Sequence, residues 1–207
     1  MSTTISIIGA GNMAAALGGR IAKAGYDIEL ASRDPAKAQA LAGRLGAGAR
    51  MGSYGAAPAG DIVILAVPYG GAAAAVADYG DALGGKVVID VTNPVSSDLT
   101  GMVTPHGSSG VQEIAKGLPA SAHAVKAFNT IFGHVLAKGE RLDAFFSADD
   151  AETKARVATF LDSLGLRPLD VGGLQMAQTL ESLGLMMISL ARNGAGTFDL
   201  AMKADIG

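Results

Sequence analysis

The sequence predicts an α/β protein with a doubly wound, mainly parallel sheet, followed by a short helical segment at the C-terminus. Short runs of β-forming residues alternate with helical patterns along the chain, and such alternation predicts right-handed crossovers between parallel strands. One run, residues 62–67, is apolar throughout, which is typical of a parallel strand buried on both faces.

The predicted elements follow one another without a linker, a repeat or a charge run. Strands are predicted over 4–8, 26–31, 62–67, 86–91, 123–128, 143–147 and 167–171. Helices are predicted from 12 to 24, over 35–45, over about 150–164 and over roughly 174–191. Pro35 suits the first turn of a helix, and Gly25 suits a left-handed cap. The Gly- and Ala-rich segment 46–60 is predicted to be a surface loop.

Length and composition limit the classes of protein to consider. The 207 residues suit one domain, 1–207, with 172–207 as the C-terminal helical segment. A net charge of -3 gives no basic surface for nucleic acid or for acidic membranes. No apolar stretch approaches the roughly 18–20 residues of a membrane span. The N-terminus lacks the basic region of a secretory signal, so we expect a cytoplasmic protein.

Cysteine is absent, which excludes disulfides, thiolate nucleophiles and cysteine-ligated metals. The three histidines, at positions 106, 123 and 134, do not have the i, i+4 spacing of a helical metal site. We therefore expect no protein-bound metal. Hydride chemistry on an organic cofactor needs none of these groups.

The last predicted helix is apolar on more than one face. Such a helix must be buried, either in its own chain or against a partner. In a chain this short we expect a homodimer interface, and packing across the chain's own sheet is the alternative.

A phosphate-binding loop is predicted directly after the first strand. The segment from Gly9 through Gly11, Asn12 and Met13 to Ala14 matches the pattern G-x-G-x-x-G/A. Glycine allows the tight turn and lets a pyrophosphate approach the backbone, while the first helix offers free N–H groups and a positive dipole. This motif is frequent by chance in a chain with 29 glycines. Its place between a strand and a helix is what predicts dinucleotide binding.

The end of the second strand favours NADP(H) over NAD(H). Ser32 can donate to a 2′-phosphate, Arg33 can form a charge-assisted pair with it, and Lys37 follows one helical turn later. Enzymes that use NAD usually carry a carboxylate here, and Glu29 is the alternative candidate, although strand alternation places it inside the strand. The other interpretation of Arg33 and Lys37 is that they are solvated charges at a helix start.

Further candidates follow the later strands, because ligands bind outside the carboxyl ends of such sheets. After the third strand we expect cofactor contacts from Ala66, Val67 and Pro68, with Tyr69 beside them. After the fourth strand we expect Thr92 and Asn93 to face the nicotinamide ribose, and their alternative role is turn formation before a proline.

Two weak candidates remain for a catalytic role. Asn129 follows the fifth strand and can hydrogen-bond the nicotinamide amide or the acceptor. His106 lies in a loop rich in Pro and Gly, just before Ser109 and Gln112, which form the pattern of a capping box.

Six segments spread over nearly the whole chain carry a resemblance to known proteins. They are the phosphate loop with Ser32-Arg33 and the blocks at 66–68, 90–94, 125–130, 165–170 and 181–183. Together these blocks resemble the NADP oxidoreductase family of the deazaflavin (coenzyme F-420)-dependent NADP reductases. The chain is also similar to the cytoplasmic oxidoreductase domain of six-transmembrane metalloreductases.

The resemblance implies an NADPH-dependent oxidoreductase that transfers hydride between NADP(H) and a small-molecule electron acceptor, either the deazaflavin coenzyme F-420 or a flavin such as FMN. Two departures limit it. The deazaflavin enzymes typically carry G-G-T-G-x-x-G at the first loop, which this chain lacks. Nothing here corresponds to the six membrane helices and haem of the metalloreductases.

Two other functions remain open. One is an imine or hydroxyacid reductase such as pyrroline-carboxylate reductase, although the 36 residues after Val171 are too few for the helical domain of those enzymes. The other is a non-enzymatic NADP(H)-binding sensor, which the small number of ionisable candidate residues favours.

Overall fold

The computed structural model describes residues 3–46, 48–196 and 198–206. The strands of these segments are β1 (Thr4–Ile8), β2 (Asp27–Ala31), β3 (Ala49–Met51), β4 (Ile62–Leu65), β5 (Val87–Asp90), β6 (His123–Ala127), β7 (Asp143–Ala148) and β8 (Arg167–Asp170). The α-helices are α1 (Asn12–Lys23), α2 (Pro35–Leu45), α3 (Tyr69–Tyr79), α4 (Gly110–Ala115), α5 (Gly133–Ala137), α6 (Ala151–Ser163) and α7 (Ala177–Arg192).

The eight described strands form a sheet in the order β3-β2-β1-β4-β5-β6-β7-β8. Neighbouring strands are parallel except for β6 and β7, which pair antiparallel. The order reverses between β1 and β4, so a switch point lies where their carboxyl ends meet. The predicted doubly wound, mainly parallel sheet with a C-terminal helix is confirmed.

Helices cover both faces of the sheet, as the apolar strands require. Within β4, Ile62 and Ile64 join the core cluster that contains α1, α2, α5 and α6. The alternate residues Val63 and Leu65 join the cluster on the opposite face, which contains α3 and α4.

The prediction of a loop over 46–60 is wrong for Ala49–Met51, which form the edge strand β3; position 47 lies outside the described residues. This strand has three residues and pairs with β2 from Ile28 to Leu30. Only a long apolar or alternating run gives a strand signal, and the sequence Ala-Arg-Met has neither.

The helix α7 turns one face inward. Its buried positions recur with helical spacing and are Ala177, Leu180, Glu181, Gly184, Met187, Ile188 and Ala191. On the outer face Met186 and Leu190 are each 44% exposed. The chain's own sheet thus buries one face, and the homodimer stays a prediction. No described helix is long and apolar enough to cross a bilayer.

The tail after α7 returns across the carboxyl edge of the sheet. Ala201 forms an antiparallel bridge with Ile131, and the main chain of Ala204 is held by two charged side chains. Its N–H donates to Asp143 Oδ2 at 2.7 Å, and its carbonyl accepts from Arg167. Asp143 and Arg167 also form a two-bond pair at 2.7 and 2.6 Å.

A buried arginine joins α1 to two segments distant in sequence. The Arg20 guanidinium, 7% exposed, donates to the carbonyls of Leu136 at 2.7 Å, Glu140 at 2.7 Å and Leu164 at 3.1 Å. Burial lowers the pKa of Arg20, because desolvation penalises the charged form.

We expect Arg20→Met to lower the free energy of unfolding by about 2–4 kcal/mol, because three carbonyls lose a charged donor while the side-chain volume is largely kept. Urea denaturation measures this change. Arg44→Met is the control, since Arg44 is exposed in the last turn of α2. Equal losses for the two variants would contradict the assigned role of Arg20.

The pair of Asp143 and Arg167 predicts a pH-dependent contribution to stability. The hydrogen bonds from Arg167 are the main cause that lowers the pKa of Asp143 below its ordinary value. A lowered pKa contributes stability that is present above about pH 4 and is lost as the pH falls through the folded-state pKa.

We therefore expect Asp143→Asn to destabilise the protein at neutral pH, with a difference from wild type that shrinks as the pH falls below 3.8. Urea titrations at neutral and acidic pH measure it. The control is Asp162→Asn, which removes an exposed ion pair and should change little at either pH. A difference that did not depend on pH would contradict the expectation.

Candidate dinucleotide-binding site

The phosphate loop lies wedged between the ends of β2 and β4. The Gly9 N–H donates to the carbonyl of Ala31 at 2.8 Å. Gly9 has a φ of +128°, and a Cβ atom there would lie 2.1 Å from the carbonyl oxygen of Ala66. Only glycine meets both conditions, so the loop approaches the neighbouring strands as closely as the motif predicts.

The start of α1 is open for an anion. Gly11 is its N-cap and provides no capping side chain, and the first turn contains no acidic residue. A Cβ atom on Gly11 would find no protein atom within 4 Å. Free N–H groups, a positive helix dipole and open space beside the backbone are what a pyrophosphate requires.

A cavity of about 450 Å³ adjoins this loop. Eight of the predicted cofactor contacts line it, namely Gly9, Gly11, Ser32, Arg33, Lys37, Ala66, Val67 and Pro68. Ala10, Asp34 and Tyr54 also line it and were not predicted. The cavity thus joins the ends of β1, β2 and β4 in one site.

The β2 end of the cavity carries a net positive charge. Arg33 and Lys37 are exposed, and Lys37 Nζ lies 3.3 Å from Asp34 Oδ2. The Lys37 N–H donates to Asp34 and is the main cause that lowers the pKa of this carboxyl. The two cationic side chains, Arg33 and Lys37, therefore outnumber the one carboxylate, Asp34, whose two oxygens already contact Lys37. This end suits a phosphate better than a pair of ribose hydroxyls.

Glu29, the alternative carboxylate for NAD, is directed elsewhere. Its Oε2 accepts from Ser6 Oγ at 2.7 Å and from the Ala59 N–H at 2.8 Å. The side chain ties β2 to β1 and to the segment before β4, and does not line the cavity.

Tyr54 reaches the cavity from the segment that sequence reasoning assigned to a loop. Its hydroxyl donates to Asp78 Oδ2 at 2.9 Å, and its ring meets Tyr79 edge to face at 5.3 Å. Burial, followed by the hydrogen bond to Asp78, raises the pKa of Tyr54 to about 12. The ring therefore forms a neutral wall opposite Arg33, and no local sequence signal marks it.

Asn12 and Met13 line a second cavity, of about 520 Å³, between α1 and α5. Its aromatic residues are Phe132, Phe198 and His134. The Phe132 ring stacks with His134 and meets Phe198 edge to face at 5.6 Å. The first cavity thus adjoins residues 9–11 of the phosphate loop, and the second adjoins Asn12 and Met13.

The ends of β5 and β6 bring three further candidates together. Asn129 Nδ2 donates to Asn93 Oδ1 at 3.0 Å and to the carbonyl of Leu180 at 2.7 Å. Asn93 Nδ2 donates to the carbonyl of Asn129 at 2.8 Å. Among the described residues, the buried atoms Thr92 Oγ1 and Asn129 Oδ1 have no partner. Polar groups without partners in this position can accept or orient a ligand.

His106 is exposed on a turn and does not line either of these cavities. The capping box predicted after it is confirmed at the start of α4, where Ser109 and Gln112 bond reciprocally. The catalytic roles of Asn129 and His106, and the cofactor contacts of Thr92 and Asn93, stay predictions.

A buried charged cluster, not found from the sequence, lies beside these asparagines. Lys126 Nζ donates to Asp90 Oδ2 at 2.7 Å and to the carbonyl of Thr92, and lies 2.8 Å from Glu181 Oε1. All three charged side chains are at most 1% exposed. We call Lys126, Asp90 and Glu181 the charged triad. Its members come from β6, β5 and α7, so no local spacing reveals them.

Residues 4–94, which contain this loop and the ends of β1, β2, β4 and β5, match the family described as NADP oxidoreductase, coenzyme F-420-dependent. The F-420-dependent NADP reductase of Methanothermobacter thermautotrophicus is 29% identical over an alignment of 210 positions that covers 92% of this chain and 90% of that protein. The chain is similar to the NADP-dependent oxidoreductases along most of its length. The resemblance drawn from the sequence blocks is confirmed.

Two further relatives show how widely this similarity extends. The structure of a candidate F-420-dependent NADP reductase from an Arthrobacter species has a TM-score of 0.84 and 25% identity, covering 98% of this chain and 99% of that one. The metalloreductase STEAP3 of Rattus norvegicus is 27% identical over 187 residues. These are 89% of this chain and 37% of the metalloreductase, so the chain spans about a third of that relative.

We expect Arg33→Met to weaken NADPH binding about 10- to 100-fold and NADH binding much less, because a charged hydrogen bond contributes about 1.5–3 kcal/mol and only NADPH carries the 2′-phosphate. Dissociation constants from fluorescence titration measure both effects, with Arg44→Met as the control. An equal loss of affinity for NADPH and NADH would contradict the expectation that Arg33 binds the 2′-phosphate.

Proposed function

We propose that this protein transfers hydride between NADP(H) and a flat redox-active acceptor, either a deazaflavin or a flavin. The observation that carries the proposal is the pair of cavities beside one phosphate loop. One has the charge for a 2′-phosphate, and the other has aromatic walls for a second ring system. The similarity to the archaeal F-420-dependent NADP reductase supports the same acceptor class.

The residues of the first cavity fit the adenosine and pyrophosphate parts of NADP(H). Arg33, Lys37 and Ser32 lie at the end suited to the 2′-phosphate, and the open backbone at Gly11 suits the pyrophosphate. Bound there, NADPH would supply the hydride for reduction of the acceptor, and solvent would supply the accompanying proton.

The second cavity fits an apolar ring rather than a charged substrate. Phe132 and Phe198 meet at nearly right angles, and a flat ligand can pack against either face. Met13 adds a polarisable side chain that adapts to an aromatic ring. The chain's part in the reaction is then to hold two rings together and to exclude water, which needs no strong acid or base.

The direct test follows NADPH oxidation anaerobically, with coenzyme F-420 and with FMN offered in parallel. We expect turnover with one of them. Binding of NADPH without turnover on either acceptor would contradict the proposal and favour a sensor function.

A variant tests the place of the acceptor. We expect Phe132→Leu to raise the KM for the acceptor about 2- to 10-fold, since loss of an aromatic contact costs about 0.5–1.5 kcal/mol. The dissociation constant of NADPH should stay the same. Phe145→Leu is the control, because Phe145 is half-buried on β7 and does not line the cavity. A change in NADPH affinity with an unaltered acceptor KM would place the acceptor elsewhere.

A further inference from the structure

Both carboxylates of the charged triad are placed as ionised groups. Asp90 Oδ1 accepts from the Thr92 N–H at 2.9 Å, and Glu181 Oε2 accepts from the Gly110 N–H at 2.9 Å. The other oxygen of each carboxylate faces the Lys126 ammonium. Three of the four oxygens accept a hydrogen bond from an N–H donor, and the fourth, Glu181 Oε1, lies 2.8 Å from the ammonium but accepts no hydrogen bond among the described residues. Such surroundings suit ionised carboxylates, which only accept.

The triad consequently carries a buried net charge of about -1, from two carboxylates and one ammonium. Glu113, a further carboxylate of the neighbouring helix α4, does not alter this balance. Its Oε2 pairs with Lys116 Nζ at 2.6 Å. A buried charge is screened much less than a surface charge, so its field extends into the surrounding site.

The field reaches the edge of the dinucleotide cavity at Tyr69. A Cβ atom on Gly110 would lie 3.0 Å from the Tyr69 ring and 3.1 Å from Glu181 Oε1, so ring and carboxylate border the same glycine. Burial raises the pKa of Tyr69, and the negative charges of Glu113, Glu181 and Asp90 raise it further. Tyr69 directly follows Pro68, which lines the cavity.

We propose that the charged triad makes the site bind oxidised NADP⁺ more tightly, relative to NADPH, than a neutral site would. The inference rests on the proposed function, in which NADP(H) occupies the carboxyl edge. The nicotinamide ring is cationic when oxidised and neutral when reduced, so a buried negative charge attracts only the oxidised form. The triad holds both the N–H and the carbonyl of Thr92, the residue expected to face the nicotinamide ribose.

The same charge assists hydride donation. Positive charge develops on the nicotinamide as NADPH loses hydride, and a fixed negative charge stabilises that change. The triad therefore acts on the nicotinamide through the electric field of its excess negative charge.

A purely structural role predicts a different result. The triad also anchors α7 and the start of α4 to the sheet, and losing an anchor weakens both forms of the cofactor alike. The ratio of the dissociation constants of NADP⁺ and NADPH separates the two roles, because a common loss of affinity cancels from it.

The test is Glu181→Gln, which removes the negative charge and keeps the side-chain shape. We expect the ratio of the dissociation constants, NADP⁺ over NADPH, to rise about three- to tenfold. Asp90→Asn removes the same charge from the other side of the ammonium and should shift the ratio in the same direction. It also tests the inference if Glu181→Gln fails to fold. Glu152→Gln is the control, since Glu152 is exposed in the first turn of α6.

Isothermal titration of each protein with the two nucleotides gives the ratio without any turnover. An unchanged ratio in the folded triad variants, whether or not both affinities fall, would overturn the inference and leave the triad a structural anchor. Absence of binding of either nucleotide to the wild-type protein would instead overturn the proposed function. The two failures are therefore distinguishable.

Discussion

A lysine ammonium buried among parallel strands imposes the main constraint on the carboxyl edge of this sheet. Lys126 has no access to water, and an unpaired ammonium in such a place would cost several kcal/mol. Asp90 and the carbonyl of Thr92 accept hydrogen bonds from it, and Glu181 forms an ion pair with it at 2.8 Å. Because Asp90 and Glu181 must both reach Lys126, their contacts fix the end of β5 and hold α7 against the sheet. Glu181 also accepts from the Gly110 N–H, which fixes the start of α4. With α7 held in this position, Asn93 packs closely against it at Gly184, where a Cβ atom would lie 2.4 Å from the Asn93 side chain.

The part of the site that the sequence could predict is the part built from local chain. Gly9 and Gly11 lie between a strand and a helix, and Arg33 with Lys37 opens the next helix, so spacing alone brings them to one cavity. Most strands and helices were predictable for the same reason, since their apolar periodicity is local.

The parts that sequence reasoning missed depend on contacts between distant residues. Glu181 meets Gly110 across 71 positions, and Lys126 meets Asp90 across 36. No pattern in one sequence pairs a lysine inside an apolar strand with two particular acids. The short edge strand β3 was missed because its pairing with β2, rather than its own residues, makes it a strand. Tyr54 follows that strand by three residues, so the missed element and the missed site residue lie in one segment.

The two ends of the site differ in charge, and this difference orients a dinucleotide. At the end of β2, Arg33 and Lys37 outweigh Asp34, whereas the triad beneath the ends of β5 and β6 has one carboxylate in excess. Oxidised NADP⁺ is complementary to this arrangement, with a phosphate at its adenosine end and a cationic ring at the other. A molecule bound in reverse would place its phosphate over the acids and its cation beside Arg33, and both contacts would be repulsive. The charge pattern therefore favours one direction of binding, and that direction brings the nicotinamide to the side where α7 and the returning C-terminal tail cover the sheet.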